Sequence, residues 1–345
     1  YNMAFKRLDT EDIVISSDSV TAPAWNNNSP TLTSFFTSSV QVASSQGQYY
    51  YDIYQTSSDA TSAAVQFSIA YCDVEGSGSA YYNALVPGVS PTRTNYGQYR
   101  TLVLGDENAS FVFGTETGSY FYAVSVERAR YKEKLLPGTM TLRLSGSGGE
   151  LSLTDNSLVK STVTFTDAGR VYDLVSGSAG TVFTGVNSNG YSTNSGSYGL
   201  FLPDIGTLLL NGKALDGAGA GGGISLGTGR NADTVDDNPE KLYNAFKTAG
   251  NASLGWTLNS EETLSSDYIF VRARNSEFNY SENPSFISGS TGEVIHDLFI
   301  DNPTTYITTV GLYNDNQELL AVAKLSRPLP KNFTKELLVR VKLDY

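Results

Sequence analysis

Apolar side chains recur at every second position through much of this 345-residue chain, and glycine, proline, asparagine or aspartate separates the runs. An extended backbone sends alternate side chains to opposite faces, so each run predicts a strand with one buried face. In SYFYAVSVER, Tyr120, Tyr122, Val124 and Val126 fall on one side, and Ser125 and Glu127 on the other. KLLPGTMTLRLSG sets Pro137 and Gly138, a turn-forming pair, between two strand-like runs. STVTFTDAGRVYDLV repeats the plan around Asp167, Ala168 and Gly169. In TLLLNGKAL, Asn211 and Gly212 accept positive φ at low cost, which predicts a hairpin. The most regular stretch is ITTVGLYNDNQELLAVAKL, from Ile307 to Leu325. There Val310 and Leu312 alternate with Thr309 and Gly311, NDNQ turns, and Leu320 and Val322 return. ELLVRVKLDY follows, with Val339, Val341, Leu343 and Tyr345 on one face and Arg340, Lys342 and Asp344 on the other. Together these predict a terminal meander whose last strand is tied into its domain.

The expected fold is therefore mostly β, with two or three sandwich-like or barrel-like domains. One helix is expected near 239–249. In DDNPEKLYNAFKTAG, Asn238 caps, Pro239 opens the helix and Glu240 favours its positive end. Leu242, Phe246 and Ala249 share a face, and Gly250 stops it. The segment Glu127 to Lys134 reads as extended rather than helical. Glycine-rich SGSGGE at Ser145–Glu150 and GAGAGGG at Gly217–Gly223 suggest breaks. They divide the chain into an N-terminal β domain (1–145), a Gly/Ser-rich middle region (146–230) and a C-terminal β domain with the helix (231–345).

Length and composition bound the function. The chain is long enough for a sizeable core, and its 22 tyrosines and 16 phenylalanines supply one. Twenty-three Lys plus Arg stand against 35 Asp plus Glu, a net charge of −12. That sign repels nucleic acid and anionic membrane surfaces, so neither is expected as a partner. No stretch approaches the roughly 18 apolar residues of a membrane span, and the opening YNMAFKRL has no apolar signal-like core. Cys72 is the only cysteine, which suits assembly in a reducing compartment and leaves no intramolecular disulfide or multi-cysteine metal site.

Motifs with chemistry are weak. GAGAGG matches the glycines of a dinucleotide loop, yet GISLGTGR after it is poor helix material. GISLG fits a nucleophile elbow with Ser225, and His296 lies downstream, but the elbow needs a helix that TGRNAD does not supply. His296 itself reads as an ordinary strand residue. DTVDDNPE and NDNQE are oxygen-rich, but neither completes a twelve-residue calcium loop. Sequons occur at Asn27, Asn108, Asn251, Asn279 and Asn332, as expected in a chain rich in Asn, Ser and Thr. GQYYYDIYQ gathers Tyr49, Tyr50, Tyr51 and Tyr54; a strand there exposes some of them, as in sugar-binding grooves and interfaces, unless both faces are covered. No catalytic, cofactor or metal residue is assigned.

Three sets of segments are similar to those of a known family. They are AFKRLDTEDIVISSDSVTAPAW; ERARYKEKLLPGTMTLRLSG with LTDNS; and NSEFNYSENPSF with YITTVGLYNDNQELLAVAKLSRPLPKNFTKELLVRVKLDY. Together they resemble virion structural proteins of contractile-tailed, T-even-like phages of marine bacteria and cyanobacteria. The resemblance carries no catalytic motif. It implies a non-enzymatic subunit of the particle, in the tail or baseplate, assembled in the host cytoplasm against other virion subunits in multiple copies. A receptor- or glycan-binding module of a fibre or head stays open beside it, as does a polysaccharide-degrading enzyme built on paired carboxylates.

Overall fold

The structure is a computed structural model and describes residues 5–40, 49–78, 90–183, 198–217, 222–230, 237–251, 255–280 and 284–344. It is mostly β, as the alternation predicts. The early strands are β1 (Ile13–Pro23), β2 (Thr31–Leu32), β3 (Tyr50–Tyr54), β4 (Val65–Asp73), β5 (Phe111–Phe113), β6 (Glu116–Gly118) and β7 (Tyr120–Val126). Next come β8 (Lys134–Leu135), β9 (Thr141–Gly146), β10 (Gly149–Asp155), β11 (Thr164–Thr166), β12 (Gly169–Ser178), β13 (Thr181–Val182), β14 (Gly199–Leu202) and β15 (Thr207–Asn211). The last are β16 (Trp256–Thr257), β17 (Asn259–Ala273), β18 (Thr305–Tyr313), β19 (Leu319–Lys331) and β20 (Leu337–Asp344). The α-helices named among the described residues are α1 (Pro91–Leu104), α2 (Gly212–Asp216), α3 (Asn238–Asn251) and α4 (Asp297–Asp301). Among the described residues no helix is long and apolar enough to cross a membrane.

The chain forms two compact units, Val20–Glu262 and Tyr1–Ser19 with Thr263–Tyr345. The first is built on a twelve-stranded sheet in the order β2-β16-β9-β10-β12-β14-β15-β7-β4-β3, with β11 and β13 paired to β12. The segment 31–36 belongs to both ends of that order. Leu32 pairs with Trp256 of β16, and Phe36 bridges to Tyr54 of β3. The sheet thus curls nearly closed, which shields edges that would otherwise be open.

Its central strands are buried on both faces. Phe67, Ile69, Tyr71, Tyr122, Val124, Leu208 and Leu210 face one core, which α3 closes with Leu242 and Phe246. Within it the Phe67 ring lies 5.0 Å from Trp256 and 5.1 Å from Phe246. Cys72, Phe121, Ala123, Leu202 and Leu209 face a second core, closed by Tyr96 and Val103 of α1 and by Phe111 and Phe113 of the β5–β6 hairpin. In β7, then, Phe121 and Ala123 are as deeply buried as the predicted Tyr122 and Val124. A continuous apolar run is what two-sided burial requires.

Several expectations are met. The β11–β12 and β18–β19 hairpins form where predicted. In α3, Leu242, Phe246 and Ala249 are buried together. Others need correction. Asn211–Gly212 is not a hairpin turn: Asn211 caps α2 by accepting a hydrogen bond from the Lys213 amide at 3.1 Å. Gly212 is required there because a Cβ would come within 2.4 Å of the Tyr120 ring. The carboxy-terminal strands do not form a meander, since β18 pairs only with β19 while β20 pairs with β17. Glu127 to Lys134 is a single 3-10 turn at Arg128–Arg130 leading to β8.

Asn238 does not cap α3 with its side chain, which instead bonds both the amide and the carbonyl of Gly229. The Asp237 carbonyl accepts the first helical bond, and the helix runs past Gly250 to Asn251. The one-helix expectation missed α1, which starts at Ser90-Pro91 and stops at Gly105 in the left-handed region. Finally, the SGSGGE stretch is the turn of the β9–β10 hairpin, inside the twelve-stranded sheet.

Candidate functional site

The densest convergence of ionisable and polar groups lies in the larger unit, where β4 and β7 end beneath the coil 222–230. Asp73, the last residue of β4, is fully buried. Its Oδ2 accepts from Arg230 Nε at 2.6 Å and from the Tyr71 hydroxyl at 3.2 Å. Its Oδ1 accepts from the amides of Glu75 and Gly76, at 2.8 and 3.1 Å. The Arg230 guanidinium stacks over the Tyr120 ring, 4.7 Å from its centroid. Tyr120 donates to Asp216 Oδ2 at 2.9 Å, and Asp216 Oδ1 accepts from both the amide and the hydroxyl of Thr228 at 2.8 Å. The Thr228 hydroxyl also meets the Tyr122 hydroxyl at 2.9 Å.

This arrangement fastens a loop. Four donors surround Asp73, so both oxygens are engaged and neither is placed to take a proton from a bound molecule. Burial, then the neighbouring Asp73 charge, push the Tyr71 hydroxyl far above the ordinary tyrosine range, so it stays a phenol. Asp155, the other buried carboxylate among the described residues, likewise accepts from backbone amides, those of Gly138 and Ser157. Each buried acid thus organises a turn. No signal in the sequence pairs Asp73 with Arg230 across 157 positions.

The motifs singled out in the sequence fall elsewhere. Ser225 has a positive φ of 53°, but among the described residues 222–230 around it there is no helix. Its amide donates to the Gly217 carbonyl at 2.9 Å, and its hydroxyl lies over Gly148 of the β9–β10 turn. His296 is not in a strand; it precedes α4, exposed, with its ring 6.0 Å from that of Phe286. Of GAGAGGG, residues 218–221 lie outside the described residues, and Gly223 packs against the carbonyls of Ala214 and Gly217. The first half of DTVDDNPE, residues 233–236, also lies outside them, while in NDNQE the Asn314 side chain bonds both the amide and the carboxylate of Glu318. Among the described residues no three His, Cys, Asp or Glu are grouped to hold a metal ion. Cys72 is buried, which pushes its thiol up and makes it a poor nucleophile. Asn279 is buried beside Lys331, whereas Asn27 and Asn108 are exposed.

The tyrosine cluster falls on β3. Tyr51 points into the core, and Tyr49, Tyr50 and Tyr54 are half-buried, with the Tyr49 and Tyr50 rings 5.1 Å apart.

The smaller unit presents a different kind of candidate, a contact surface. Its only buried apolar side chains among the described residues are Ile269, Ala273 and Val341. Both large core clusters lie in the other unit. Leu298 is 85% exposed, Leu320 68%, Ile300 67%, Tyr306 65%, Leu338 64% and Val322 57%. A segment of ~100 residues ordinarily hides about 60% or more of its chain surface, most of it apolar. This one leaves those six largely in water, and Phe270, Ile307, Leu312, Leu325 and Leu343 only half-buried.

No protein-family model matches the chain, and neither a curated protein nor a solved structure matches it.

Proposed function

We propose that this chain is a non-enzymatic structural subunit of a phage virion, in the tail or baseplate, that works through protein interfaces. The observation that carries the interface reading is the smaller unit, whose large apolar side chains are mostly exposed or half-buried, with only Ile269, Ala273 and Val341 buried among its described residues. Ordering each residue costs on the order of 1–2 kcal/mol of backbone entropy. Three buried apolar side chains offset little of that, so a neighbouring subunit that covers Leu298, Leu320, Tyr306 and Leu338 supplies the rest. The phage assignment rests on the resemblance of the three sets of segments. The first and the last of these lie mostly in this coreless unit.

Mass spectrometry and imaging of purified particles test the reading. The chain should be present at a fixed stoichiometric copy number in tail or baseplate density, and its absence from intact particles ends the proposal. The half-buried Tyr50 and Tyr54 of β3, with Tyr49 just before it, favour a second reading, a glycan-binding module. A glycan array separates the two: a baseplate subunit binds no sugar, and binding abolished by Tyr50→Ala supports the module.

A further inference from the structure

Most sheet ends in this molecule are protected. The two ends of the twelve-stranded sheet meet in the segment 31–36. The β18–β19 ladder carries Pro328 and Pro330 and two register shifts. Proline and irregular pairing are the usual devices against adding a foreign strand.

The sheet β1-β17-β20 lacks them. β1 and β20 are its ends, and each has β17 as its neighbour. β20 pairs with β17 over eight consecutive residue pairs without a shift, and it contains no proline or glycine. β1 runs for 11 residues with proline only at its last position, and it exposes Ile13, Val14 and Ile15, the last at 72%. A long, straight, apolar edge is a template for another strand.

Charge selects the partner. From Asp9 to Pro23 the chain carries four carboxylates, Asp9, Glu11, Asp12 and Asp18, and no cation. β20 carries two cations, Arg340 and Lys342, against one carboxylate, Asp344, which pairs with Lys342 at 2.9 Å. Pairing β1 with a second β1, or β20 with a second β20, juxtaposes like charges at a cost. Pairing β1 of one copy with β20 of another can juxtapose Asp18, the one charge within β1, with Arg340 and Lys342.

We propose that a second copy of this chain adds its β1 to the outer edge of β20, so that the sheet of β1, β17 and β20, which β8 also joins through β17, continues from subunit to subunit. Such a contact is heterologous: every copy keeps one free edge of each kind, so the assembly closes as a ring or extends as a filament. The proposal stands whether or not the protein belongs to a phage particle.

Disulfide trapping with the full chain tests it. Cys72 is buried, so a cysteine placed on the surface reports alone. Ile15→Cys and Leu338→Cys are both at exposed positions, and circular dichroism checks that each variant folds. Within one copy β17 separates the two strands by about 9.6 Å, too far for an intramolecular bridge. Mixing the two variants under mild oxidation should give a cross-linked dimer in several-fold excess over either variant oxidised alone. The wild-type chain should show masses at multiples of 37.1 kDa by light scattering. Arg340→Glu should weaken association at least tenfold, and Arg340→Glu mixed with Asp18→Arg should restore it. Homotypic cross-links in excess, or a monomer at about 100 µM, roughly a hundredfold above a dissociation constant of 1 µM, overturn the proposal.

Discussion

Asp73 and Arg230 are the residues whose pairing organises most around it, since the coil 222–230 is fastened through them to β4. Removing one partner leaves a buried carboxylate short of a donor. Arg230→Met should cost about 3 kcal/mol, read as a lowered urea midpoint at unchanged m-value. Adding Asp73→Asn should recover part of the loss, because the remaining polar group is then neutral. Arg170 and Asp204 give a second, partly solvated pair, joined by the Arg170 amide at 2.7 Å and by its guanidinium at 2.7 and 3.0 Å. Burial pushes the Asp204 carboxyl up, but the Arg170 guanidinium and amide together hold it below the usual range. A carboxyl lowered on folding adds stability above its unfolded value and loses it as pH falls through the folded one. Asp204→Asn should therefore cost about 1–2 kcal/mol at pH 7, and the gap to wild type should narrow as pH falls below about 4 in urea titrations. A constant gap would exclude the carboxylate as its source.

Among the elements, strands were the most legible in the sequence and their partners the least. The NDNQ turn of β18–β19 and the Asp167–Gly169 turn of β11–β12 act over a few residues, so local chemistry decides them. β20 bonds to β17, from which it is separated by the whole β18–β19 hairpin, and no local rule names that partner. Helix α1 could have been found from Ser90-Pro91 at its start and Gly105 at its end, but its centre holds Gly97 and few apolar residues. Gly199 in β14 is fixed by tertiary packing. Its φ is 143°, and a Cβ would come within 1.9 Å of the Leu209 carbonyl oxygen in β15. Gly199→Ala should cost on the order of 3 kcal/mol through strain and a shifted β14–β15 ladder. Thermal unfolding within a degree of wild type would show that the two strands can separate freely.

At the scale of the whole molecule, stability is divided unevenly. The unit Val20–Glu262 holds both cores, and the unit Tyr1–Ser19 with Thr263–Tyr345 holds three buried apolar side chains among its described residues. Opening free energies follow buried apolar contact. In the isolated chain, amides of β18, β19 and β20 should therefore exchange with deuterium at least tenfold faster than those of β4, β7 and β15. In the assembled state that difference should shrink as a partner covers the exposed face. Equal protection in the isolated chain would mean that the smaller unit is stable without partners, and the interface reading would lose its support.

By itself, the sequence determined that this protein is built from strands, where many of its turns fall and which face of α3 is apolar, because those outcomes depend on side-chain period and on neighbours a few residues apart. The tertiary structure decided which strands pair, that β7 is buried on both faces, that Asp73 meets Arg230, and that one unit is left without a core. Those depend on contacts between distant positions, whose closure brings together groups that no local pattern connects.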